Sequence, residues 1–130
     1  MPKNILIVED DPALAHAIGR NLSIRGYATE SVPTVAEALS ALDGPCPALL
    51  LLDIDLPDGS GWEVLRALRA ADCGDTAVIV MSALRPNTRL AKELRCMAVL
   101  EKPFPMESLL RLVNESLGGL EGQASREAVP

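Results

Sequence analysis

The chain has 130 residues, which argues for one domain and leaves no room for a second catalytic or DNA-binding module. A hydrophobic fraction of 48% against 23% charged excludes disorder for the bulk of the chain, and a net charge of -6 repels phosphate backbones and anionic membranes. Aromatics are only 2%, with Trp62, Tyr27 and Phe104 as the whole set, so a base-stacking surface lacks its material and aliphatic residues must fill the core.

Cys46, Cys73 and Cys96 are odd in number and form no CxxC pair, so buried structural thiols in a reducing compartment are expected, with neither a disulfide framework nor a zinc site. The N-terminal stretch meets acidic residues before any long apolar run, and no window approaches the roughly 20 apolar residues of a membrane span. A cytoplasmic protein without membrane association is the expectation.

Asn4 to Glu9 is short, apolar and β-branched, and it stops at Glu9, Asp10 and Asp11, which predicts a buried strand with a polar end. After Pro12, Leu14, Ile18 and Leu22 recur every four residues until Gly26, predicting an amphipathic helix. Ala28–Val32 is a second short strand. Thr34 with Glu37 makes a capping box that opens a helix over Val35–Leu42, closed by Gly44-Pro45-Cys46-Pro47. The continuous apolar run Ala48–Leu52 predicts a central parallel strand covered on both faces, ending at Asp53.

The loop Leu56–Gly61 is dense in turn formers, and a third helix is predicted over Trp62–Ala71. Thr76–Met81 is a fourth strand ending at Ser82, Asn87–Arg95 a weaker and more polar helix, and Met97–Glu101 a fifth strand. Met106–Leu117 is a last helix with Leu109, Leu112, Val113 and Leu117 inward. Five strands alternating with five helices call for right-handed βαβ crossovers: an α/β, (βα)5 doubly wound parallel sheet with helices on both faces. This assigns residues 1–118 to one domain and residues 119–130, rich in Gly, Ser, Ala and Glu, to a flexible tail.

Ligands of such sheets bind beyond the carboxyl ends of the strands. There stand Glu9 and Asp10 after the first strand, Asp53 after the third, Ser82 after the fourth and Lys102 after the fifth. Clustered carboxylates repel one another unless a cation neutralises them, and a hard all-oxygen set suits Mg²⁺. A carboxylate can attack phosphorus to give an acyl phosphate, while Mg²⁺ and the lysine neutralise the phosphoryl oxygens and a serine hydroxyl hydrogen-bonds one of them. His16 lies opposite the Leu14/Ile18/Leu22 stripe and reads as a solvated helix face, Trp62 as packing at a helix start, and Asp55 and Asp58 as loop residues.

The motifs I-L-I-V-E-D-D, L-L-L-D-I-D-L-P-D-G-S-G, V-M-S-A and E-K-P-F stand in an order and spacing under which residues 3–117 resemble the receiver domain of two-component response regulators. The resemblance implies a chemotaxis-regulator-like, flavodoxin-like strand order 2-1-3-4-5. It implies Asp53 as phosphoacceptor and metal ligand, Asp10 as direct metal ligand, Glu9 as a ligand through water, and the backbone carbonyl of Asp55 as a further one. Ser82 matches the switch hydroxyl, Ala83 the small residue leaving space for the phosphoryl group, and Lys102-Pro103 the lysine and its cis peptide.

By the same resemblance, Mg²⁺-dependent phosphorylation by a histidine kinase or histidine phosphotransfer protein would switch a face that binds a downstream effector, in a monomer or weak dimer. The only enzymatic activity implied is the domain's own phosphoryl transfer and dephosphorylation. Val99 stands where the family usually carries an aromatic residue, and the segment from Ser82 to Lys102 is slightly short, so a reshaped fourth helix is expected. Two other readings are a degenerate receiver acting only as a scaffold, and a haloacid-dehalogenase-type phosphatase suggested by Asp53-Ile54-Asp55.

Overall fold

In the computed structural model, residues 3–84 and 87–118 are described; the predicted tail lies outside them. Five parallel strands form one sheet: β1 (Asn4–Val8), β2 (Ala28–Val32), β3 (Leu49–Asp53), β4 (Ala77–Ser82) and β5 (Ala98–Glu101). Their spatial order is 2-1-3-4-5, with β3 in the middle and β2 and β5 at the edges. The helices are α1 (Pro12–Ile24), α2 (Val35–Ala41), α3 (Gly61–Ala70), α4 (Thr88–Glu93) and α5 (Met106–Ser116).

The two-residue period of the strands divides the core into two layers. Leu6, Val8, Leu50, Leu52, Val78 and Val80 face one side, against Val35 and Ala38 of α2 and Val64, Leu65 and Leu68 of α3. Ile5, Ile7, Leu49, Leu51, Ile79 and Met81 face the other, against Ile18 and Leu22 of α1 and Leu109 and Val113 of α5. β3 is therefore buried along its whole length, which is why its sequence shows no polar alternation. The register Leu49↔Ala77 through Asp53↔Met81 brings the ends of β3 and β4 to one edge.

Local chemistry sets the helix boundaries. The Asp11 carboxylate accepts from the backbone N–H groups of Ala13 and Leu14 and starts α1, while Gly26, at φ 93°, ends the excursion in the left-handed region that glycine tolerates. The Thr34 hydroxyl oxygen accepts from Glu37 N–H as expected, but the Glu37 carboxylate accepts a hydrogen bond from the Thr34 hydroxyl and not from its backbone N–H. The reciprocal box stands instead at α3: Ser60 caps Trp62 N–H and the Glu63 carboxylate accepts from Ser60 N–H. α4 is short, with Ala91 as its one buried residue among those described, in line with the polar sequence there.

The cysteine expectation is corrected by the structure. Cys46 and Cys73 are joined in a disulfide, and Cys96 is the free thiol. The two partners lie in the loops that enter β3 and β4, so parallel pairing of those strands brings together residues that no short-range spacing rule connects.

Candidate functional site

Each strand of the central layer delivers one reactive group as it runs out of apolar sequence. Glu9 follows β1 and is buried, its N–H bonded to the Val32 carbonyl at 3.1 Å, so the chain leaves the sheet with the carboxylate held in place. Its Oε2 accepts from Asp11 N–H at 3.1 Å and its Oε1 lies 2.6 Å from Lys102 Nζ. Asp53 is the last residue of β3 and only 2% exposed; Oδ1 accepts from Asp55 N–H at 3.1 Å and Oδ2 lies 3.3 Å from Lys102 Nζ. Asp10 is the exposed member of the acidic group. Glu9, Asp10 and Asp53 each place one carboxylate oxygen within 4.8 Å of the others.

Lys102 leaves β5 with its N–H on the Ser82 carbonyl at 2.8 Å, and the Lys102–Pro103 peptide bond is cis, as expected. Ser82 ends β4, opposite Glu101 in the β4–β5 register, and its hydroxyl donates to the Leu84 carbonyl at 2.8 Å. Ala83 is exposed beside it. Val99 pairs with Val80 and packs against the layer that holds α2 and α3.

Burial dominates the electrostatics of Asp53, pushing its carboxyl from the ordinary 3.8 up to about 7; the Asp55 N–H opposes this, the Glu9 charge adds to it, and Lys102 pulls the other way. Burial pulls the Lys102 ammonium down, but Glu9 and then Asp53 outweigh it and hold the group above the usual lysine range. One ammonium thus serves two buried carboxylates, with a third at the mouth. That arrangement fits a hard divalent cation: an all-oxygen donor set, an excess of negative charge and an open side toward solvent for water ligands. Asp10 and Asp53 are the residues that would hold Mg²⁺, with Glu9 behind them on Lys102.

The structure thus brings Glu9, Asp10, Asp53 and Lys102 into one cluster, with Ser82 on the neighbouring strand end. Asp55 is exposed and its carboxylate is not among those that gather here, and His16 is exposed on α1 as expected. Two contributors carry no chemistry of their own. A Cβ at Gly61 would run into the carbonyl oxygen of Asp53 and lie 2.9 Å from Ile54 Cα, so only glycine lets α3 start against the end of β3, where Gly61 N–H bonds the Ile54 carbonyl at 2.8 Å. Asp58 is more than a loop residue: its carboxylate accepts from Val35 and Ala36 N–H at 2.8 and 3.1 Å and ties the loop after β3 to the start of α2.

The observed architecture is thus an α/β domain, a doubly wound parallel sheet with a cluster of carboxylates at the carboxyl ends of its central strands. Residues 5–114 match the response regulator receiver domain, and the chain belongs to that family. It is 35% identical over 112 residues to the response regulator MprA of Mycobacterium sp. (strain KMS), covering 85% of this chain and 48% of that protein. It is 35% identical over 108 residues to the transcriptional regulatory protein KdpE of Mycobacterium tuberculosis (strain ATCC 25618 / H37Rv), covering 82% and 47%. The chain therefore spans about half the length of the curated relatives it matches.

Among solved structures, it superposes on a CheY-like response regulator receiver domain protein from Methanospirillum hungatei JF-1 with a TM-score of 0.84 at 28% identity, over 95% of this chain and 99% of that one. It superposes on the non-phosphorylated HemR receiver domain of Leptospira biflexa with a TM-score of 0.82 at 26% identity, over 88% and 94%. No helix of the described residues is long and apolar enough to cross a membrane.

Proposed function

We propose that this receiver domain is a phosphoacceptor of a two-component relay, modified at Asp53 with the help of Mg²⁺. The observation that carries the reading is the shared ion pairing of Lys102 with Glu9 and Asp53, at 2.6 and 3.3 Å, which sets a cation beside two buried strand-end carboxylates with Asp10 next to them. Asp53 is the nucleophile: its carboxylate oxygen bonds phosphorus as the donor's leaving group departs, giving an acyl phosphate. Asp10, Asp53 and the backbone carbonyl of Asp55 would hold Mg²⁺, which would supply neutralisation of the phosphoryl oxygens. Glu9 would act on the metal through water, and it is the ion-pair partner of Lys102.

Lys102 then turns from its carboxylates toward a phosphoryl oxygen. Ser82 gives up its bond to the Leu84 carbonyl, 2.8 Å in the resting arrangement, and donates to another phosphoryl oxygen in the space beside Ala83. Movement of that hydroxyl by one hydrogen bond is the step that reaches the segment leading into α4. With Val99 packed in the α2/α3 layer, the readout runs through the backbone around Ser82–Leu84 and not through rotation of an aromatic side chain.

The donor is a histidine kinase or histidine phosphotransfer protein, the reader is an effector protein, and the setting is the cytoplasm. The domain catalyses its own phosphoryl transfer and dephosphorylation and no other reaction. It works as a monomer or weak dimer and makes no direct contact with nucleic acid, in keeping with its net charge of -6. Intact mass after incubation with acetyl phosphate is the test. A single adduct that forms with Mg²⁺, vanishes with EDTA and is missing from Asp53→Asn supports the reading; no adduct in folded protein leaves a binding scaffold as the better one.

A further inference from the structure

We infer that Cys46 and Cys73 form a thiol–disulfide exchange site, open to a dithiol reductant, whose state is passed by Arg69 to the turn between α4 and β5. The inference stands on geometry at the edge of the sheet opposite Asp53 and is independent of the phosphorelay reading.

The bridge joins the loop entering β3 to the loop entering β4. Cys46 is exposed while Cys73 is buried, so an incoming thiolate has access to one sulfur only. Attack on Cys46 Sγ forms a mixed disulfide and releases Cys73 as thiolate. The reductant's second thiol then closes on the mixed disulfide and frees Cys46. Two electrons and two protons pass from the dithiol to the protein, and the dithiol leaves as its own disulfide. Cys46 Sγ lies 3.7 Å from the Asp72 carbonyl, an acceptor for its proton once the bridge is open. Cys96 does not compete, because burial pushes its thiol up to about 11.

Reduction removes the covalent tie between the two segments, and their surroundings favour movement of the Cys73 side. Cys46 sits between Pro45 and Pro47, and Pro47 is buried with its carbonyl accepting from Thr76 Oγ1 at 2.8 Å. Gly74, next to Cys73, has open space around it. The carbonyl of Gly74 is one end of a clamp. Arg69 Nη1 donates to Gly74 O and Thr76 O at 3.1 and 2.8 Å, while Nε donates to Leu94 O at 2.9 Å and Nη2 to Arg95 O at 3.0 Å.

A single guanidinium therefore ties the Cys73 loop to the C-terminal end of α4. Leu94 is the C-cap of that six-residue helix, and Arg95 follows in the left-handed region at φ 59°, a conformation held against its own preference. A helix so short, with little of its own burial, depends on such an anchor. Leu94 and Cys96 also pack in the same apolar layer as Cys73, giving a second route for a shift of the loop.

The test compares the oxidised and dithiothreitol-reduced protein. Thiol titration under denaturing conditions should give one thiol per chain in the first and three in the second. Amide exchange at Leu94, Arg95 and Cys96, whose N–H groups bond Leu90, Lys92 and Ala91, should become about tenfold faster on reduction, as expected for loss of a charge-assisted anchor. The double variant Cys46→Ser/Cys73→Ser should match the reduced protein under both conditions. Arg69→Gln should exchange rapidly at these amides in either state while the loop 72–76 still responds to reduction. Three thiols after treatment with a disulfide oxidant, or equal exchange at 94–96 in the two forms, would overturn the inference.

Discussion

Lys102 is the residue on which the site balances. It neutralises Glu9 and Asp53 at once, and removing one partner of a buried ion pair costs about 3 kcal/mol because the remaining charge is left unpaired. Lys102→Met should therefore lower stability by roughly that amount in urea titrations at pH 7 without divalent cation, and Mg²⁺ should restore part of the loss. Unchanged stability would show that the ammonium is not the counter-charge of the buried pair. Asp53 sets the pH dependence: its folded pKa is raised from 3.8 to about 7, so the folded protein keeps a proton that the unfolded chain has released. The associated stability is full below 3.8 and is lost as pH rises through about 7. A cation bound to the carboxylate reverses that loss, so Mg²⁺ should raise the melting temperature more at pH 8 than at pH 5. An equal shift at both pH values would place the cation elsewhere. Glu9, Asp53 and Ser82 were legible in the sequence because each is the polar residue that ends an apolar run, and Lys102 because it follows Glu101 at the end of the last run; a parallel sheet gathers such ends at one edge.

Between elements, the contacts that hold the site's frame were the ones least visible in the sequence. Gly61 reads as one more turn former, and only the packing of α3 on the end of β3 shows that a side chain there would collide with the backbone of Asp53. Gly61→Ala should cost about 1–3 kcal/mol in thermal or chemical unfolding and should weaken Mg²⁺ binding by displacing Asp53; full retention of both would contradict the close approach. Asp58 is legible as a loop acid, but its partners are 23 and 22 residues away, on a helix that already has its own N-cap. Those two N–H groups hold its carboxyl below the ordinary range, so its contribution is present above the unfolded pKa and fades as pH falls through the folded one. Asp58→Ala should accelerate amide exchange at Val35 and Ala36 selectively; no change there would show the tie to be idle. By contrast the Ser60-x-x-Glu63 box was written in the sequence in the same form as the one read at Thr34, and turn-forming neighbours hid it.

The whole molecule shows how far alternating apolar runs carry a reading and where they stop. Five strand-helix units and their two packing layers follow from a two-residue period in the strands and a 3.6-residue period in the helices. The disulfide does not follow, because Cys46 and Cys73 meet only through the pairing of β3 with β4. The family membership rests on residues 5–114, nearly the entire described domain, while the chain spans about half of relatives such as MprA and KdpE. On the proposed reading, the domain contributes a single modifiable carboxylate at a sheet edge, linked by Ser82 and Lys102 to the surface around α4 and β5. The most direct measurement reduces the acetyl-phosphate-treated protein with borohydride, which converts an aspartyl phosphate to homoserine, and maps the product by tandem mass spectrometry. Homoserine at position 53 alone, formed only when Mg²⁺ was present during phosphorylation, is the predicted result; homoserine at Asp10, Asp55 or Asp58, or at no position, would contradict the assignment of Asp53 as the phosphoacceptor.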